Sequence, residues 1–146
     1  MKVIFLDIDG VLNQMGEKPT PIRMVGDILT MADPEMVYRL NLIVDRTDAE
    51  IVLSSSWRHM PNWREMMAAS GVVKKPLDCT PRHSQLSRGH NIRQWLDTHP
   101  EVMRYAILDD DTDMLPEQMP HFFRTHPWTG LTQEIADAVE IHLTSP

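Results

Sequence analysis

Apolar positions along the chain fall into two kinds of run, and their alternation outlines a fold. Val3 to Leu6, Ile51 to Leu53 and Tyr105 to Leu108 are short, unbroken and rich in bulky or β-branched residues. That is the pattern of strands buried on both faces of a parallel sheet. A short strand is expected at Val72-Val73 and a last one at His121 to Arg124. Between the strands lie stretches with helical spacing. Asp33-Pro34-Glu35 opens the first, with an oxygen to cap, a proline at the first position and an acid near the positive end. Met36, Leu40, Ile43 and Val44 then share one face to about Arg46. Asn62 to Ser70 carries Trp63, Met66 and Met67 and stops at Gly71. Ser87 caps a helix from Arg88 that turns Ile92, Trp95 and Leu96 inward and ends at His99-Pro100. Thr132 caps a closing helix with Ile135, Val139 and Leu143. Gln14 to Thr30 and Lys74 to Ser87 read as loops bordering a site. Strand and helix in repeated order predict an α/β fold, a mostly parallel sheet with helices on both faces.

Composition narrows the picture. The 146 residues, 42% of them apolar, fit a single domain spanning 1–146 with one core. A net charge of −7 supplies no global basic field to draw in nucleic acid, which leaves room only for a local basic site. The single Cys79 excludes an intramolecular disulfide framework and a thiolate metal cluster, in keeping with a reducing compartment. No run approaches the roughly 18 apolar residues of a membrane span, and the start of the chain has no signal-peptide pattern. A cytoplasmic protein without a membrane partner is expected.

The candidate chemistry sits where the strands end. The first strand runs into Asp7-Ile8-Asp9-Gly10. Two carboxylates delivered by one strand end can divide the work, one attacking an electrophile such as phosphorus and the other passing a proton. A plain turn would use the same residue types. The second strand ends in Ser54-Ser55-Ser56-Trp57-Arg58, where a hydroxyl can donate to a phosphoryl oxygen without adding negative charge. Arg58 beside it can grip a second phosphate or a nucleotide backbone, or form a surface ion pair. The third long strand ends in Asp109-Asp110-Asp111-Thr112-Asp113, and four acids in five positions call for a screening cation. Hard oxygen ligands select Mg²⁺. Trp128, in the loop 125–130, offers a surface for a base, but one aromatic carries no assignment.

The string Lys2 to Asn13, KVIFLDIDGVLN, resembles the first motif of the haloacid dehalogenase (HAD) superfamily of phosphohydrolases. Together with Ser-Ser-Ser-Trp-Arg, Arg88-Gly89, Leu-Asp-Asp-Asp and the late Gly-Leu-Thr, it is similar to the small capless HAD domain of Swiss-army-knife RNA repair proteins. It is also similar to the phosphatase domain of phage polynucleotide kinase-phosphatases. The resemblance implies a three-layer Rossmann-like core with a minimal cap, its first strand central between the second and the Asp-rich one. It implies Asp7 as nucleophile, forming an aspartyl-phosphate, and Asp9 as general acid and base. Ser54 is the phosphate-binding hydroxyl, with Ser55 as the alternative register. Arg88 stands where the superfamily usually has lysine, with Lys74 and Lys75 as fallbacks. Mg²⁺ is implied on Asp7, the main-chain carbonyl of Asp9 and Asp110, with Asp109 beside them and Asp111 and Asp113 orienting or capping. Ser55, Arg58 and Gly10 are expected on the substrate side. The implied activity is a Mg²⁺-dependent phosphatase acting on a phosphate monoester, the substrate a nucleotide or the phosphate end of RNA or DNA, as in nucleic-acid repair. A phosphotransferase or phosphomutase, or a non-catalytic phosphate-binding module, would use the same fold.

Overall fold

A computed structural model describes residues 1–82 and 84–146 of the chain. The first strand, β1 (Lys2–Leu6), lies at the centre of a five-stranded sheet. On one side it pairs in parallel with β4 (Glu50–Leu53), which carries the two-residue β5 (Asp78–Cys79). On the other it pairs in parallel with β6 (Arg104–Asp109), which carries β7 (Phe122–Arg124). The order β5-β4-β1-β6-β7 thus places the first strand between the second long strand and the Asp-rich one.

Strand periodicity divides the core into two layers. Ile4, Leu6, Ile51, Leu53, Ala106 and Leu108 face one way. They meet α1 (Pro34–Thr47), α2 (Trp63–Ala69) and α4 (Gln133–Thr144) through Leu40, Ile43, Met67, Val139 and Leu143. Val3, Phe5, Val52 and Ile107 face the other way, onto Ile92 and Trp95 of α3 (Arg88–Asp97). There Phe5 meets Trp95 and Tyr105 edge-on, with ring centroids 5.5 and 5.8 Å apart. Burial of the sheet on both faces explains why its strands read as unbroken apolar runs. Among the described residues, no helix is long and apolar enough to cross a membrane.

The helix ends form as their sequences dictate. Asp33 accepts from the amides of Glu35 and Met36 at the start of α1, Ser87 from His90 in α3, and Thr132 from Ile135 in α4. Two expectations need correction. Val72-Val73 is not a strand: Val72 turns into the core while Val73 is exposed. The strand beside β4 is Asp78–Cys79. Nor is 14–30 wholly loop, because it contains an antiparallel hairpin of β2 (Arg23–Val25) and β3 (Ile28–Thr30). Thr30 pins the hairpin to the body by a 2.8 Å hydrogen bond to Ser70.

Candidate active site

The parallel ladder continues one residue past the strands, which fixes the site's register. Leu108 O accepts from Asp7 N at 3.0 Å, and Leu6 O accepts from Ser54 N at 2.9 Å. Asp109 O accepts from Thr125 N at 2.9 Å. Residues that end separate strands therefore meet at the carboxyl edge of the sheet, where α/β folds of this kind place their ligands.

Arg88 at the first turn of α3 sits between two of the acids. Its Nη1 donates to Asp109 Oδ2 at 2.8 Å and lies 2.9 Å from Asp7 Oδ1. Gln118 and Asp113 hold that helix start. Gln118 Nε2 donates to Gly89 O at 2.8 Å, and Asp113 Oδ2 accepts from Arg88 N at 3.1 Å. Gly89 suits this approach, since a Cβ there would stand 2.8 Å from both Gln118 Oε1 and Leu115 N. Lys74 is not part of the site. It pairs with Asp48 and Glu50 at the opposite end of β4, and Lys75 is exposed beyond it.

One arginine does not balance the carboxylates. Asp7, Asp109 and Asp110 offer oxygens that lie within 4.8 Å of one another. Burial, reinforced by the charge of Asp109, pushes the Asp7 carboxyl up to about 8 despite Arg88. Burial likewise raises Asp109. In the other direction, the two acids hold the Arg88 guanidinium more firmly protonated than usual, against its own burial. Asp109 is already engaged, one oxygen by Arg88 and the other by the amide of Asp111 at 2.9 Å. Asp110 instead packs its carboxylate against Gly10, where any Cβ would collide with it and where φ of +82° itself favours glycine. Three clustered oxygen donors with excess negative charge fit a divalent cation such as Mg²⁺.

Asp9 is not one of the three clustered acids. Its Oδ1 accepts from Asn13 Nδ2 at 3.0 Å, while Asn13 Oδ1 accepts from Gly10 N at 2.8 Å. Thr125 Oγ1 donates to Gly10 O at 2.7 Å, closing the loop from the other side. Asn13 and Thr125 are buried. Asn13 closes the string KVIFLDIDGVLN, four residues after Asp9, whereas nothing in the sequence around Thr125 marks it as part of a site.

The serines divide their tasks. The Ser54 hydroxyl is 1% exposed and has no hydrogen-bond partner. A buried polar group left unpaired costs about 1–3 kcal/mol, so a hydroxyl kept this way beside Asp7 suits an absent acceptor. Ser55 caps a 3-10 turn over Ser56–His59, accepting from Trp57 N at 3.1 Å. Arg58 turns back on the chain, its Nη1 on Ser54 O and Ser55 O and its Nε on Pro81 O. Those bonds make it a brace for the serine loop. Its guanidinium still lines a cavity of about 180 Å³ with Ser87, Arg88, Asn91, Asp111 and Asp113.

A family model described as the HAD domain in Swiss Army Knife RNA repair proteins matches residues 3–136. No curated protein and no solved structure matches the chain.

Proposed function

The chain belongs to the family of HAD domains found in Swiss Army Knife RNA repair proteins, within the HAD-type phosphohydrolases, and from that membership we propose a Mg²⁺-dependent phosphatase that removes a terminal phosphate from a nucleotide or nucleic-acid end. The observation that carries this reading is one carboxylate, Asp7, paired with Arg88, crowded by Asp109 and Asp110, and next in register to the unpartnered Ser54 hydroxyl.

Asp7 attacks phosphorus in line with the departing oxygen. The new Asp7–phosphorus bond forms as the bond from phosphorus to the substrate oxygen breaks, and Asp9 gives that oxygen its proton. Asn13 holds the Asp9 carboxyl in place for the transfer. Asp9, now ionised, takes a proton from a water that attacks phosphorus, and the bond to Asp7 breaks to release inorganic phosphate. Ser54 donates to a transferring oxygen throughout, and Arg88 offsets the charge gathered there. Asp7, Asp110 and the Asp9 carbonyl would hold Mg²⁺, with Asp109 behind them. When bound, the ion supplies positive charge that keeps Asp7 ionised and neutralises the phosphoryl group.

Phosphate release from an aryl phosphate, with and without Mg²⁺, tests the proposal on the native chain beside Asp7→Asn. Release should require the metal and fall to background in the variant, and 3′- and 5′-phosphorylated oligonucleotides should then be better substrates. The absence of release from every phosphate tried would overturn the hydrolase and leave a phosphate-binding domain.

A further inference from the structure

Phosphorus at Asp7 leaves the rest of a substrate to lie outward along the loops that border the site. One of these loops carries an unusual side chain. Trp128 is 59% exposed, although tryptophan is among the largest apolar groups a chain can bury. It is nonetheless held in place. Met15 N donates to Pro127 O at 2.8 Å, and Leu131 N donates to Val11 O at 2.7 Å. Together with the bond from Thr125 to Gly10, these contacts lock the loop 125–131 onto the segment that follows Asp9. His126 meets the indole edge-on, with centroids 5.9 Å apart and planes at 79°. Gly16 backs the ring so closely that a Cβ there would stand 2.5 Å from Trp128 Cδ1. The indole is thus a fixed surface tied by backbone to the catalytic loop.

We propose that Trp128 is a stacking platform for the nucleobase next to the scissile phosphate. This inference rests on the phosphatase reading above and names how its substrate is recognised. The neighbouring cavity, about 300 Å³, is lined by Gln14, Gly16, Glu17, Lys18 and Trp128. Glu17 and Lys18 bring opposite charges, which gives no track for a run of backbone phosphates. Gln14 brings a donor and an acceptor suited to a base edge. With a net charge of −7, the chain draws little from long-range attraction to a polyanion, so the binding energy must come from contact at the end itself. Stacking on an aromatic face provides such contact for any base.

The test compares kcat/KM for adenosine 3′- and 5′-monophosphates, a phosphorylated oligonucleotide and ribose 5-phosphate. Trp128→Ala should lower the values for base-bearing substrates about tenfold and leave ribose 5-phosphate unchanged. Trp128→Phe should retain most of the activity. Gly16→Ala, which tilts the ring but keeps it, should follow the alanine variant. Equal losses on ribose 5-phosphate, no loss at all, or a loss confined to the oligonucleotide would overturn the assignment. Binding of the monophosphates to Asp7→Asn, read by quenching of tryptophan fluorescence, probes the platform without turnover. Quenching should disappear in Asp7→Asn with Trp128→Phe. If it persists there, the platform is wrong even where phosphate release succeeds, and if it disappears, the platform stands even where release fails.

Discussion

The two ends of the sheet treat charge in opposite ways. At the amino end, Lys74 Nζ lies 3.3 Å from Glu50 and 3.5 Å from Asp48 and donates to Ala49 O. Arg104 donates to His142 O, and the terminal amine to Glu101 O. Each of these three cations has a partner within reach of water, an arrangement worth little and asking for nothing more. At the carboxyl end, Asp7 and Asp109 share Arg88 with Asp110 clustered beside them, and the buried Ser54 hydroxyl has no partner. An imbalance that folding leaves in place, and that a neutral substitution could remove, is the physical mark of a site awaiting a ligand.

Substitutions can break this contrast at the carboxyl end. Arg88→Ala should lower kcat by about 10²-fold or more, since one preorganised donor to a developing anion is commonly worth that much. Phosphate release at saturating Mg²⁺ measures it, and Arg88→Lys should recover part of the loss. A rate unchanged in Arg88→Ala would show that the guanidinium only shields the acids from one another.

A second effect concerns stability against pH without metal. Asp7 is held near 8 in the folded chain and near 3.8 when unfolded, so the native state binds its proton more tightly. Stability from this group is complete below pH 4 and is lost as pH rises toward 8. Metal-free protein should therefore lose a few kcal/mol between pH 4 and 8 by denaturant unfolding, as each tenfold difference in proton affinity between the two states is worth about 1.4 kcal/mol. Saturating Mg²⁺ should reverse the loss, and Asp7→Asn should flatten the profile. The smallest effect belongs to the other end of the sheet, where Lys74→Ala should cost about 1 kcal/mol or less and leave phosphate release unaltered.

What the sequence revealed follows how each feature is encoded. The long buried strands and the capped helices are written in contiguous residues, and so are the acids and serines that follow those strands. Asp7, Ser54, Arg88 and Asp110 could be singled out because each stands at the end or start of a periodic element. β5 escaped because Asp78–Cys79 has no periodicity of its own and exists only by pairing with Val52 and Leu53. The apolar pair Val72-Val73 misled because a turn divides it between core and water. Thr125 and Gln118 serve the site across 115 and 29 residues of chain, to Gly10 and Gly89, and nothing in their local sequence marks them. The hydroxyl of Ser54 could be named, but its isolation becomes visible only when its surroundings are assembled.

The hairpin of β2 and β3 bears on how the proposed phosphatase would part with its phosphoryl group. With three residues to a strand and the whole of β2 exposed, it is far smaller than a folded cap. In the proposed mechanism, so small a hairpin does little to keep water from competing with an alcohol for the phosphoryl group on Asp7. A transferase protects such an ester by shutting out solvent until its acceptor arrives. A hairpin of this size suits the proposed hydrolase, which loses the group to water, better than a transferase.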